Sequence, residues 1–225
     1  MMNVENVVNK IENIKSTNSL VEMQTDNENE VIYTPLSYVE KPNFGFMVFS
    51  KEETEIESDC KYKHRYYYYE NFGNDKDENI IFIMFNPSTA CPDKEDQTIR
   101  NCRSLVKDEY KSMEIINIFS ERSSEVSKIQ DSDDVNNSAF VKEFLSRYKN
   151  PAEQKVVIAW GYAKDKNYKN KIDEINELLN GFSKYKISVK EEALRNSQDL
   201  ARHPNQAFRK GFNDKFVEIA EITKY

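Results

Sequence analysis

Six consecutive apolar residues, Ile80-Ile81-Phe82-Ile83-Met84-Phe85, constrain this chain more than any other feature. A run of that kind has no polar face to turn to water, so it reads as a strand covered on both sides of a sheet. Two more runs repeat it, Met113–Phe119 with Ile115, Ile116 and Ile118, and Lys155–Trp160. A weaker fourth covers Lys184–Val189. Between the runs the apolar spacing becomes helical. Ile99, Cys102, Leu105, Val106 and Tyr110 follow Asp96, a candidate N-cap. Another helix is expected over Val135–Tyr148. Tyr168, Ile172, Ile175, Leu178 and Leu179 mark a third, closed by Asn180-Gly181. The tail, Phe212–Thr223, carries Phe216, Ile219, Ala220 and Ile222 and is expected to be helical. Strands alternating with helices predict an α/β fold, a three-layer sandwich around a central, mainly parallel four-stranded sheet.

Ahead of this block, Phe44–Ser50 and Lys63–Glu70 are rich in aromatic and β-branched residues and predict an antiparallel strand pair. The second contains Tyr66-Tyr67-Tyr68-Tyr69. These tyrosines either line both faces of a strand or offer a stacking platform for bases. Val4, Val7, Val8, Ile11 and Ile14 recur at helical spacing, and the polar stretch Ser16–Glu30 follows. Residues 1–30 are therefore expected to be a peripheral helix and polar linker, with 31–225 a single α/β domain.

Composition narrows the function. The five glycines are scattered, which excludes Gly-rich phosphate cradles. Two histidines and three cysteines, with no C-x-x-C pair, predict no metal site, and no cofactor is expected. The odd cysteine count and the lack of a signal peptide point to a reducing cytoplasm. No apolar run is long enough to span a membrane. The net charge of −7 argues against coating duplex DNA. Residues 184–210 nevertheless hold seven cations against three acids, a local lip suited to a phosphate-bearing ligand.

In an open α/β sheet, ligands bind beyond the carboxyl ends of the strands. Asn86-Pro87-Ser88-Thr89 follows the first run there, and Asn117-Ile118-Phe119 and Arg122 follow the second. Trp160-Gly161 follows the third, and Arg202-His203-Pro204 comes after the fourth. Four polar segments thus converge on one rim, two of them fixed locally by proline.

These motifs carry two resemblances. From about Arg65 to Phe208 the chain resembles the domain-of-unknown-function family numbered 1643, found in bacteria and phages. The segments Phe82–Ala90, Glu95–Arg100, Asn117–Arg122, Ala159-Trp160-Gly161 and His203-Pro204 occur in that family's order. The same order of Asn-Pro, strand-end Asn, Trp-Gly-x-Ala and His-Pro resembles the uracil-DNA glycosylase superfamily. That likeness implies a glycosylase-like fold in which Asn86 positions a water, Asn117 reads a base edge and His203 supports the departing base. Met84 stands where that superfamily has glycine, Ser88 where its uracil-specific members have tyrosine, and Asn205-Gln206 where it has a serine-containing turn.

The expectation is a nucleobase- or nucleotide-recognising protein with a glycosylase-like pocket, hydrolysing an N-glycosidic bond or binding without turnover. A protein-interaction domain is the third possibility. Asn86 and His203 are the candidate catalytic pair. Ser88, Thr89, Asn117, Phe119, Arg122, Trp160, Gly161 and Arg202 are candidate ligand contacts. The partner expected is a free nucleotide or an unpaired or flipped DNA base. Each residue also has a local alternative: Asn86 can bond its own turn, Asn117 can cap a strand end, and Trp160 can simply pack.

Overall fold

The computed structural model describes residues 2–40, 43–53, 61–123, 129, 135–161, 168–189, 203–205 and 217–221. The elements, in chain order, are α1 (Val4–Thr17), β1 (Gln24–Asp26), β2 (Val31–Pro35), β3 (Phe44–Ser50), β4 (Arg65–Asn71) and β5 (Asn79–Met84). They continue with α2 (Gln97–Val106), β6 (Ser112–Asn117), α3 (Val135–Ser146), β7 (Lys155–Ile158), α4 (Lys169–Leu178), β8 (Ser183–Val189) and β9 (Val217–Glu221).

The apolar runs form β5, β6 and β7, and each is buried along nearly its whole length. With β8 they lie in the order β6-β5-β7-β8, each pair parallel. The sheet, however, is larger and more mixed than a mainly parallel four-stranded one. Among the described residues it has nine strands in the order β1-β2-β3-β4-β6-β5-β7-β8-β9, and five of the eight pairings are antiparallel. The expected N-terminal strand pair, β3 and β4, is not an appendage but continues this sheet through β4 and β6.

The tail differs from expectation as well. Val217–Glu221 is a strand antiparallel to β8, not part of a helix. Its Val-Glu-Ile-Ala-Glu pattern alternates as well with period two as with period 3.6, and hydrogen bonding along β8 decides between them. The remainder of Phe212–Thr223 lies outside the described residues.

Helices cover both faces. Residues of α1, α3 and α4 join one core cluster, and α2 packs into the cluster on the other face. α1 is capped by Asn3, whose side chain accepts the Asn6 N–H at 3.2 Å. It buries Val7, Val8, Ile11 and Ile14 against its own domain. Each such aliphatic side chain is worth roughly 1.5–3 kcal/mol. Lys15 adds a polar tether: its ammonium bonds both oxygens of Glu114 at 3.0 Å, and Glu12 at 2.9 Å. The Glu114 side chain is fully buried and also accepts the hydroxyls of Tyr67 and, at 3.4 Å, Tyr148. Burial alone would lower the Lys15 ammonium, but Glu114 and Glu12 outweigh it and hold its pKa above the usual value.

The tyrosine run is a buried strand and not an exposed platform. Val48 faces Tyr67 while Phe49 faces Arg65, so Tyr66 is an extra residue in β4. This bulge sends Tyr66 and Tyr67 to the α1/α3 side and leaves Tyr68 on the α2 side. Gly45 in β3 marks a close approach. A Cβ there would lie 2.6 Å from Leu36 Cδ1 and 2.9 Å from the Tyr69 carbonyl oxygen.

Candidate functional site

Hydrogen bonding between the central strands continues past their carboxyl ends. Ile118 N–H donates to the Met84 carbonyl, Phe119 N–H to Phe85 and Ala159 N–H to Ile83, all at 2.9 Å. Ser123 N–H then reaches the Pro87 carbonyl at 3.0 Å. The loop after β5 is thereby fastened to the segment after β6. The Asn86 amide completes the fastening by donating to the Pro87 carbonyl at 3.0 Å and the Ser123 carbonyl at 2.8 Å. The local role foreseen for Asn86 is therefore real, and the acceptor Oδ1 is the part of the amide left for other contacts. Ser88 is half-buried, and its hydroxyl has no hydrogen-bond partner among the described residues; Thr89 is exposed.

Asn117 ends β6 opposite Met84. Met113 and Ile115 point to the α2 side and Ile116 and Ile118 to the other, so strand alternation puts Asn117 on the α2 side. It is 1% exposed, and neither Nδ2 nor Oδ1 has a hydrogen-bond partner among the described residues. Such a group costs about 1–3 kcal/mol when left unmet, and folded proteins hold few of them. The backbone around it is fixed: Asn137 of α3, itself buried, donates to the carbonyls of Asn117 at 3.1 Å and Ile118 at 2.9 Å. The result is a rigidly mounted amide with one donor side and one acceptor side unused.

Two buried guanidinium groups flank the same region. β4 runs antiparallel to β6, so its first residue, Arg65, lies where β6 ends, with its N–H on the Ser120 carbonyl at 2.9 Å. Arg65 is 1% exposed, and Nε and Nη1 have no hydrogen-bond partner among the described residues. Burial pushes its pKa down; the Asp96 carboxylate opposes this and Arg122 adds to it. Arg122, foreseen as a ligand contact, is engaged in holding the loops. Nη1 donates to the Tyr62 carbonyl at 2.7 Å, and Nη2 donates to Thr89 at 2.9 Å and Ala90 at 3.4 Å.

α2 begins at this rim. Asp96 is its N-cap, accepting the Ile99 N–H at 2.9 Å. Thr98 and Asn101, both buried, dock the segment His203-Pro204-Asn205. The Asn205 amide donates to Thr98 Oγ1 at 2.9 Å and accepts from Asn101 Nδ2 at 3.0 Å. The Asn205 N–H donates to His203 Nδ1 at 3.2 Å. With Nδ1 acting as acceptor, the proton of a neutral His203 ring sits on Nε2.

The foreseen residues thus fall into two groups. Asn117, with Arg122 and the docked His203, belongs to the α2 side. Phe119 and Trp160 belong to the opposite side. The Phe119 ring packs against Phe85 at 5.0 Å and Tyr168 at 5.3 Å, while Trp160 is 8% exposed within the α1/α3/α4 core. Gly161, at φ 76°, takes a left-handed conformation three residues past the end of β7. Arg202 lies outside the described residues, as do Lys190, Arg195, Arg209 and Lys210 of the basic stretch. Among the described residues no group of three or more His, Cys, Asp or Glu could hold a metal ion, and no helix is long and apolar enough to cross a membrane. Sequence reasoning missed Arg65, Asn137 and the docking pair Thr98 and Asn101.

A family model described as "Protein of unknown function (DUF1643)" matches residues 65–205, from the buried arginine of β4 to the asparagine that docks on α2. No curated protein and no solved structure matches the chain significantly.

Proposed function

The chain belongs to the DUF1643 family, and from the chemistry of its rim we propose that it recognises a nucleobase-containing ligand, with the Asn117 amide reading the base edge. The observation that carries this is the buried Asn117 side chain with neither amide atom satisfied. An amide offers a donor and an acceptor side by side, and the edge of a pyrimidine ring presents the complementary pair. Docking such an edge would meet both at once, and the gain is large because the site is already desolvated. A glycosylase-like arrangement of the parallel strands β6-β5-β7-β8 is part of this proposal. It brings the loop of Asn86, the end of β6 and the docked His203 to one end of the sheet.

Within this reading His203 donates from Nε2 toward a base oxygen, and Asn86 Oδ1 accepts from a water or a sugar hydroxyl. An amide oxygen can orient a water but is a weak base. The arrangement therefore supports binding or slow N-glycosidic hydrolysis better than fast turnover. The two branches differ in what Asn86→Ala does. In a hydrolase it removes turnover while sparing affinity; in a binder there is no turnover to lose.

Calorimetric titration with the common nucleosides, deoxyuridine and their 5′-monophosphates tests the proposal, using the parent and Asn117→Ala. We expect at least one of these compounds to bind the parent, and Asn117→Ala to bind it about 10- to 100-fold more weakly, the range of one or two lost buried hydrogen bonds. A parent that binds none of them, or an Asn117→Ala protein of unchanged affinity, would refute it.

A further inference from the structure

Arg65 poses a question that base recognition alone does not answer. It is among the largest fully buried side chains of the protein, and the described residues offer Nε and Nη1 no hydrogen bond. Among the charged groups around it the Asp96 carboxylate outweighs the Arg122 guanidinium. Arg122 is near enough to affect its charge, and Asp96 is the acidic counterweight, with Oδ1 already engaged by the Ile99 N–H. Buried donors left without acceptors are costly, and folded proteins hold few of them. Asp96, its strongest charged neighbour, is the N-cap of α2, a ten-residue helix whose N-terminal end favours negative charge. Arginine suits a tetrahedral anion because its planar group can donate to two oxygens together.

We propose that Arg65 holds a phosphate group, so that the ligand of this rim is a nucleotide, free or within a single strand, and not a bare base or nucleoside. This rests on the reading that Asn117 takes a base from the same side of the sheet. The division of labour is simple: Asn117 selects the base, and Arg65 supplies affinity for its phosphate.

The test uses the full chain, with Arg65→Met, Arg65→Lys and Asn117→Ala beside the parent. Each is titrated with inorganic phosphate, nucleosides, their 5′-monophosphates and a short single-stranded oligonucleotide, and each is melted in phosphate-free buffer. We expect the parent to prefer a monophosphate over its nucleoside by about 10- to 100-fold, the range for hydrogen bonds to a charged group. Arg65→Met should erase that preference and the response to inorganic phosphate while keeping nucleoside affinity. It should also raise the melting midpoint of the unliganded protein, because an unsatisfied buried charge is replaced by an apolar chain. A purely structural arginine would lower the midpoint instead. Should Arg65→Met fail to fold, Arg65→Lys, which keeps the charge without the planar donors, should retain part of the preference. Equal affinity of the parent for nucleoside and monophosphate, or a preference that survives Arg65→Met, would overturn the proposal. The reading of Asn117 fails separately, if Asn117→Ala leaves base discrimination intact while phosphate binding still depends on Arg65. Comparing monophosphate with oligonucleotide distinguishes a free nucleotide from a strand.

Discussion

Replacing Lys15 by methionine should destabilise the protein far more than a substitution on a helix of the outer layer ordinarily does. The Lys15 side chain is 13% exposed, and its partner Glu114 is fully buried in β6. Methionine keeps most of the aliphatic stem but leaves the Glu114 carboxylate with only the Tyr67 hydroxyl and the longer Tyr148 contact. Breaking one partner of a buried pair costs about 3–5 kcal/mol, and the surviving tyrosine contacts place this case near the lower end, about 3 kcal/mol. For a domain of this size that is a fall of about 6–12 °C in melting midpoint. Urea denaturation followed by far-UV circular dichroism measures the loss directly. The double variant Lys15→Met/Glu114→Gln supplies the control. A neutral amide can still accept from Tyr67, so most of the lost stability should return, leaving a deficit of about 1 kcal/mol. A Lys15→Met protein within 1 kcal/mol of the parent, or a double variant no better than the single, would show that α1 is not tethered through this charge.

High pH should unfold the protein cooperatively. Burial first, and then neighbouring Glu114 or Glu70, push the Tyr67, Tyr68 and Tyr148 phenols well above their usual range. Unfolded tyrosines release protons near pH 10. Above that pH the unfolded state binds fewer protons than the folded one, so stability falls as pH rises. Tyrosinate absorbance should rise together with loss of circular dichroism; ionisation of these phenols near pH 10 in a protein that stays folded would contradict this. Gly45→Ala should cost about 1–3 kcal/mol, because Leu36 can move aside but the Tyr69 carbonyl cannot. Thermal melting checks it, and an unchanged midpoint would mean that β3 can shift away from β4.

Elements whose residues agree at every level were readable from the sequence. β5 follows directly from Ile80–Phe85, and α2 from Asp96 together with Ile99, Cys102 and Val106. β3 and β4 followed from their aromatic content. The short strands β1 and β2 went unread because Gln24–Asp26 has no apolar pattern, and Val31–Pro35 is bounded by polar sequence that suggests a linker. β9 was misread because five residues fit two periods and the choice depends on β8, a partner distant in sequence.

Asn117 was legible as the one amide within the buried run Met113–Phe119. Arg65 was not. A cation beginning a tyrosine-rich strand looks solvent-facing, and only the bulge at Tyr66, which puts it opposite Phe49 on the α2 side of the sheet, shows how it comes to be buried. Arg122 was legible as a cation at the rim, but its carbonyl partners come from residues 62, 89 and 90. No local pattern encodes contacts of that span.

The position of β3 beside β4 also bears on solubility. The matched family segment begins at Arg65, so β4 is the outermost strand of that segment on this side. Its seven residues are buried, four of them tyrosines, and a bare edge of that kind would be a template for pairing with another copy. The strands β3, β2 and β1 cap it in succession. Among the described residues the sheet ends on this side at a strand of only three residues, two of them exposed, with Asp26 the third. A short, polar last strand offers little main chain to a stray partner. Removing the segment ahead of β4 should therefore show itself first as aggregation, before any loss at the rim.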